Sequence, residues 1–287
     1  MATAKIAFQG EPGANSHIAC QEVYPGMQPL PCATFEDALA AVSDGSADLG
    51  MIPIENSVAG RVADIHHLLP DSGLFIIGEH FLRVRHCLLG LKGARIADLR
   101  AVQSHPQALG QCRQTLRGMG LKPVTVADTA GSARMLSETS DKSMAAIASS
   151  LAAEIYGLDI LKHDVEDEDH NTTRFIILSR DRSDPVFDGH TQAITSFIFR
   201  VRNVPAALYK AMGGFATNGV NMTKLESYQI GGTFAATQFY ADIDGHPSER
   251  RVQLAFEELE FFTSKFKVLG AYAASPLRAG FAARLAE

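Results

Sequence analysis

The chain has 287 residues, 46% hydrophobic and 20% charged, with a formal net charge of −6 and four cysteines. That composition fits an ordinary soluble globular protein of about two domains and excludes disorder, collagen and coiled coil. The acid excess, without any long basic run, argues against a general nucleic-acid partner, which needs clustered Lys and Arg.

The N-terminus has no apolar signal core, and no apolar stretch is long enough to span a bilayer, so the expected location is cytoplasmic. Cys20, Cys32, Cys87 and Cys112 are widely spaced without a Cys-x-x-Cys. They read as reduced thiols rather than a disulfide framework or a zinc site.

From Lys5 to about Arg182, short β-rich runs alternate with amphipathic helical stretches, the pattern of a mostly parallel α/β sheet. The expected strands are 5–8, 49–54, 75–77, 83–89, 101–103, 144–147 and 174–178, with helices between them, for example 35–42 and 132–138. The polar run from Asp181 to His190, with Pro185 and Gly189, reads as an interdomain linker. Beyond it, 194–202 alternates as a strand, and Asn203 is placed to cap a helix with Pro205 in its first turn, running towards Asn218. A strand over 221–230, a tight turn at Gly231-Gly232 and a returning strand over 233–243 make a hairpin. A helix over 248–265 and a strand over 266–272 complete a β-α-β-β-α-β order, the ferredoxin-like arrangement. The domain expectation is therefore 1–183 for a first domain, 184–193 for a linker, 194–275 for a second domain and 276–287 for a tail.

In an α/β sheet, ligands collect beyond the carboxyl ends of strands, where helix N-termini present free N–H groups. Three strand-to-helix turns are rich in polar residues. In Gln9-Gly-Glu-Pro-Gly-Ala-Asn-Ser-His17, Asn15 or Ser16 can cap the following helix. In Pro53-Ile-Glu-Asn-Ser-Val-Ala-Gly60, Asn56 and Ser57 end a buried strand. In Gln103-Ser-His-Pro-Gln-Ala-Leu-Gly-Gln-Cys112, Ser104 is placed as a cap, and Gln107 and Gln111 share a helix face. A fourth cluster, His170-Asn-Thr-Thr-Arg-Phe175, enters the last strand of the domain.

A Ser or Asn at one such junction is ordinarily only a cap. Four converging with an arginine suit a small polycarboxylate. The glycine turn is neither the dinucleotide fingerprint nor a P-loop. His66-His67 lacks a carboxylate or Cys at ligand spacing, and His80 and His86 read as surface or packing residues. The acidic run from Val165 to His170 lacks the spacing of a calcium loop and reads as a solvated loop beside the site. Ser16, Ser104 and Ser149 show no His–acid pairing for a nucleophile.

Taken together, these segments resemble the prephenate dehydratase family over nearly the whole chain. Gly10-Glu-Pro-Gly-Ala-Asn-Ser16, Pro53-Ile-Glu-Asn-Ser57 with Gly60, Ser104-His-Pro-Gln-Ala-Leu109, Ala145-Ala-Ile147 through Tyr156-Gly-Leu158 and Asn171-Thr-Thr-Arg-Phe175 stand in family order. The resemblance implies a two-lobed catalytic domain similar to the type 2 periplasmic binding proteins, followed by a ferredoxin-like ACT domain. It implies decarboxylative dehydration of prephenate to phenylpyruvate, with no metal or organic cofactor. Thr173 is then the donor to the departing oxygen, with Asn56, Ser104 and Gln111 in the site and Glu55 as source or orienter of the proton. Asn15, Ser16, Ser57, Gln107, Asp128, Arg174 and Phe175 are the substrate-binding candidates, Arg174 standing equally as a structural ion pair. In the ACT domain the family's phenylalanine segments correspond to Ala206-Ala207-Leu208 and Glu226-Ser227, with Asn221 nearby. Here Ala206 replaces a glycine, and Tyr228 and Gln229 replace Arg and Pro. A homodimer or homotetramer with phenylalanine as effector is implied. The alternatives are arogenate dehydratase, which differs in the substrate side chain, and a non-catalytic sensor of small acids or amino acids.

Overall fold

The computed structural model of the chain describes residues 3–230 and 237–280. The chain forms two compact units, one of Met1–Val62 with His80–Phe175, the other of Ala63–Glu79 with Ile176–Glu287.

The chain begins with β1 (Lys5–Gln9), α1 (Asn15–Val23), β2 (Gln28–Cys32), α2 (Phe35–Ser43), β3 (Leu49–Asn56) and the short β4 (Gly60–Arg61). Next come α3 (Ala63–Leu68), β5 (Phe75–Arg83), β6 (Cys87–Gly90), β7 (Ala101–Ser104), α4 (Pro106–Gln111) and α5 (Arg113–Gly118). Then follow β8 (Lys122–Thr125), α6 (Thr129–Ser137), β9 (Met144–Ala148), α7 (Ser150–Tyr156), β10 (Asp159–Lys162) and β11 (Thr172–Ser179).

Two sheets organise these strands. The first has the order β2-β1-β3-β11-β5, with β4 paired to β3, and β1 runs parallel to both β2 and β3. The second has the order β10-β6-β9-β7-β8, with β7 parallel to β8 and β9 and β6 antiparallel to β9 and β10. Strand β9 shows why helices cover both faces of the second sheet. Its Ala145 and Ile147 pack with Leu109 and Leu116 of α4 and α5, whereas Ala146 and Ala148 pack with Ala133, Leu136 and Ala152 of α6 and α7. Alternate residues point to opposite faces, so a strand buried on both reads as a continuous apolar run. The fold class is the expected α/β with two lobes.

The second unit contains β12 (Ala193–Val201), α8 (Ala207–Thr217), β13 (Met222–Gln229), β14 (Thr237–Asp244), α9 (Arg250–Phe262) and β15 (Thr263–Ala273). The antiparallel order β13-β14-β12-β15 is the ferredoxin-like one. One face carries Phe197, Phe199, Phe239 and Ile243 against Phe215, Val252 and Leu259 of the two helices. On this unit α3 and the start of β5 pack against the other face. A Cβ on Gly270 of β15 would stand 1.9 Å from the Ile76 carbonyl oxygen, so only glycine admits that approach. Lys267 Nζ donates to the Pro70 carbonyl, and His66 lies edge-on to Tyr228 and Tyr240. This packing is why 63–79 clusters with the C-terminal part of the chain, a segment that composition alone groups with the first domain.

Several expected elements differ. Three strands the sequence reading passes over, β2, β8 and β10, are all sheet edges, and the first two contain Pro29, Pro31 and Pro123. Proline cannot donate to a ladder and is tolerated at edges. The strand expected over 83–89 is broken: β5 runs on to Arg83, and β6 begins only at Cys87. Asn203 does not cap α8; the helix starts after Ala206, which itself has φ +59°. Helix α9 stops at Phe262 because Thr263 is already paired with Val201 in the sheet. The turn at Gly231-Gly232 and the hairpin residues up to 236 lie outside the described residues.

Candidate active site

A cleft of about 540 Å³ opens in the first unit, a size that suits a small-molecule ligand. It gathers the carboxyl ends of strands from both lobes: Gln9 after β1, Asn56 at the end of β3, His105 after β7, Asp128 before α6 and Ser149 after β9. The glycine turn reaches across to the second lobe. Gly13 has φ +91°, and a Cβ there would come within 2.7 Å of the Ala152 backbone. Its carbonyl accepts from Ser149 Oγ, and the neighbouring Pro12 carbonyl accepts from the Tyr156 hydroxyl at 3.0 Å. The Gly13 N–H donates to His17 Nδ1 at 3.0 Å, and burial pulls the His17 pKa down, in keeping with a neutral acceptor.

At the centre lies a hydrogen-bond chain whose polarity can be read from one end. Asn56 Oδ1 accepts from the backbone N–H groups of Val58 and Ala59 at 3.0 and 2.9 Å. Those two donors can face only an oxygen, so the Asn56 amide nitrogen faces the other way. Asn56 Nδ2 donates to Asn171 Oδ1 at 2.7 Å and to Thr173 Oγ1 at 2.9 Å, using both its protons. Asn171 Nδ2 in turn donates to Gln111 Oε1 at 2.9 Å. The same oxygen lies 2.8 Å from His86 Nε2, which must therefore carry a proton. Two donors are left over. Thr173 has its oxygen occupied as an acceptor, and its own O–H has no protein acceptor within the described residues. The Gln111 NH2 group is in the same position. Both residues line the cleft.

Of the sequence candidates, Asn15, Ser16, Asn56, Gln107, Gln111, Asp128, Thr173 and Phe175 line this cleft. Four others do not. Ser104 is fully buried; its Oγ donates to the Ile147 carbonyl, and His105 rather than Ser104 caps α4. Arg174 lies on the face of β11 opposite Thr173 and Phe175, as strand alternation requires. It is 2% exposed, pairs with Glu55 at 2.8 Å and stacks over Phe81, so Glu55 and Arg174 form an ion pair away from the cleft lining. Ser57 ties strand ends together, donating to the His170 carbonyl and accepting from Thr172 N–H. Asn15 and Ser16 begin α1 but do not cap it; Ala14 stands at the cap. Asp128 lines the cleft and also caps α6 through the Gly131 N–H.

The sequence reading gave no site role to Arg61, His86 or Asn171, all of which line the cleft. Arg61 is the only arginine or lysine among the described residues lining the cleft, and it faces Glu55 across the β3–β4 ladder. Of the two readings for His86, surface or packing, the buried one holds, and burial, outweighing the Gln111 hydrogen bond and the Glu166 charge, pulls its pKa down. The acidic run is the expected loop, exposed at Glu168, Asp169 and His170, but its first two carboxylates are engaged. Glu166 Oε2 accepts from the His86 N–H, and Asp167 caps α5 through the Gln114 and Thr115 N–H groups. Burial pushes the Cys20 thiol up to about 12 and raises Cys87 and Cys112 as well, which leaves all three unreactive near neutral pH. All four cysteines are free. Among the described residues no cluster of His, Cys, Asp or Glu is arranged to hold a metal, and no helix is long and apolar enough to cross a membrane.

In the second unit two of the effector candidates pair with neighbouring charges. Asn221 Nδ2 donates to Asp244, and Lys224 pairs with Glu226. Ser227 is exposed on the edge strand β13. Ala206 keeps a left-handed backbone, a conformation that costs an L-residue about 1 kcal/mol and that glycine takes freely. Ala207 is buried at the start of α8, and Leu208 packs on the phenylalanine core. Tyr228 is buried, with its hydroxyl accepting from Gln238 Nε2 at 2.7 Å.

Comparison with known proteins adds independent findings. The family model for prephenate dehydratase matches residues 6–183. A bifunctional N-acyl-homoserine lactone acylase/prephenate dehydratase of Komagataeibacter europaeus is 53% identical over 273 residues, covering 95% of this chain and 97% of that protein. Arogenate dehydratase/prephenate dehydratase 2 of Arabidopsis thaliana is 38% identical over 278 residues, covering 93% of this chain and 72% of its own length. The crystal structure of prephenate dehydratase from Arthrobacter aurescens in complex with L-Phe superposes with a TM-score of 0.86 at 30% identity, covering 99% of this chain and 97% of that one.

Proposed function

The chain belongs to the prephenate dehydratase family, a family of lyases, and on that premise we propose that its cleft converts prephenate to phenylpyruvate with release of CO2 and water. The observation that carries the reading is the free O–H of Thr173, left over when Asn56 occupies its oxygen. In prephenate the ring carboxylate leaves as CO2, and the electrons of its C–C bond enter the ring. The C4–O bond breaks, the oxygen departs as water with one proton taken up from solvent, and the ring becomes aromatic. No C–H proton is removed, so the site needs carboxylate anchors and a hydrogen-bond donor at the departing oxygen. Thr173 is that donor. A hydroxyl is a weak acid, and its contribution is a hydrogen bond that strengthens as charge builds on the oxygen in a preorganised site. The Gln111 NH2 group holds a substrate carboxylate, and Asn15, Ser16 and Gln107 supply further polar contacts.

Phenylalanine is the proposed effector, acting at the second unit; the L-Phe in the Arthrobacter aurescens complex and the retained Glu226-Ser227 support this. The plant relatives named as arogenate dehydratases make arogenate the rival substrate. Purified protein supplied with each substrate separately tests the reading: phenylpyruvate from prephenate supports it, and product from arogenate alone replaces it. An N-acyl homoserine lactone assayed on the same preparation tests the second activity in the name of the Komagataeibacter relative.

A further inference from the structure

One buried titratable group in the first unit has no part in the scheme above. His86 is 3% exposed and sits between β5 and β6, where the sequence shows no motif. Its backbone N–H is held by Glu166 Oε2 at 2.9 Å, and its ring reaches Gln111 Oε1 at 2.8 Å. Gln111 Oε1 is an acceptor only, since Asn171 Nδ2 already donates to it. The ring nitrogen facing it is therefore a donor.

We propose that His86 is a positioning residue for the dehydration: as the Nε2–H tautomer it clamps Gln111 Oε1 and so keeps the Gln111 NH2 group turned into the cleft. A glutamine amide turned end for end would present an acceptor to a substrate carboxylate instead of two donors. Two donors converging on Gln111 Oε1, from Asn171 and from His86, oppose that reversal. The Asn171 bond belongs to the chain that starts at the turn after β3, and the His86 bond comes from the β5–β6 connection. His86 thus braces the amide from a second direction. The lowered pKa keeps the ring neutral, so the clamp brings no charge into the cleft beside Glu166. A ring already donating Nε2–H to protein does not also supply that proton to the departing oxygen.

The inference rests on the proposed function for its kinetic readout, and the two fail separately. The 15N spectrum of histidine-labelled protein, with the His86 signal identified by its loss in His86→Gln, reads the tautomer without any turnover. A pyrrole-type Nε2 bearing the proton is expected; an Nδ1–H tautomer overturns the proposal even if the enzyme is fully active. In the kinetics, His86→Leu should lower kcat/KM by about 10-fold, the weight of one buried hydrogen bond and its partner's misorientation. His86→Gln, whose NH2 reaches about as far, should stay within about 3-fold of wild type. In a Gln111→Leu background, His86→Leu should cost nothing further, because the clamp then has nothing to hold. A His86→Leu loss that persists undiminished in that background assigns His86 another role and overturns the proposal. Loss of the wild-type pH profile's shape in His86→Gln would do the same by making His86 a proton donor. A purely packing role would lower thermal stability equally in both backgrounds and leave kcat/KM of the folded protein unchanged, also against it.

Discussion

Each unit of the molecule buries a string of polar side chains, and the two strings end differently. Under the ferredoxin-like sheet, Ser196 Oγ donates to Asp242 Oδ1, pairs with the Tyr272 hydroxyl at 2.7 Å and accepts from the Tyr240 hydroxyl at 3.1 Å. That cluster is fully buried, and none of its four residues lines the cleft. In the first unit, the chain from Asn56 through Asn171 to Gln111 ends in two donors that no acceptor among the described residues takes up. Buried polar groups are nearly always satisfied, so a cluster sealed from solvent contributes to fold stability, whereas surplus donors lining a cleft mark where a ligand completes the set.

Substitutions can break the comparison at either end. The largest effect is expected from Asn56→Asp. A carboxylate still accepts from the Val58 and Ala59 N–H groups, but it can no longer donate to Thr173. The Thr173 hydroxyl would turn to donate to the new carboxylate and be withdrawn from the cleft. Steady-state kinetics should then show kcat about 100-fold lower with the fold intact by circular dichroism, the scale of losing one oxyanion-type donor. Ser196→Ala should have the smallest effect on turnover, with kcat as in wild type. Its cost falls on stability, about 1–3 kcal/mol in denaturant unfolding, because the buried Asp242 carboxylate loses a donor. A kinetic defect in Ser196→Ala at unchanged stability would show that the buried cluster is functional after all.

The buried strands were legible in the sequence because apolar runs such as Met144–Ala148 and Leu49–Asn56 are bounded by polar turns. The edges were not, because Gln28–Cys32 and Lys122–Thr125 carry prolines and few buried residues, features that a local pattern reads as loop. The candidate site was legible as four polar turns, but not the direction of each side chain. For Arg174 the signal was present: neighbours on a strand point to opposite faces, so Thr173 and Arg174 cannot both line one cleft. For Ser104 there was none, since its acceptor is the Ile147 carbonyl, 43 residues away in sequence. His86 and Arg61 belong to no periodic pattern, and only the tertiary fold brings them to Gln111 and to the cleft. Left-handed Ala206 is a related case: the resemblance places a glycine there, and the backbone keeps the glycine conformation with alanine in place.

The central claim is that Thr173 gives the surplus hydrogen bond to the departing oxygen. Its most direct test is kcat and KM for prephenate in wild type, Thr173→Ala and Thr173→Ser. A donor that acts mainly in the transition state predicts kcat lowered about 100-fold or more in Thr173→Ala, KM within a few-fold of wild type, and a substantial part of the rate retained by Thr173→Ser. A Thr173→Ala enzyme that keeps near-wild-type kcat would contradict the account and make Thr173 a structural residue of β11.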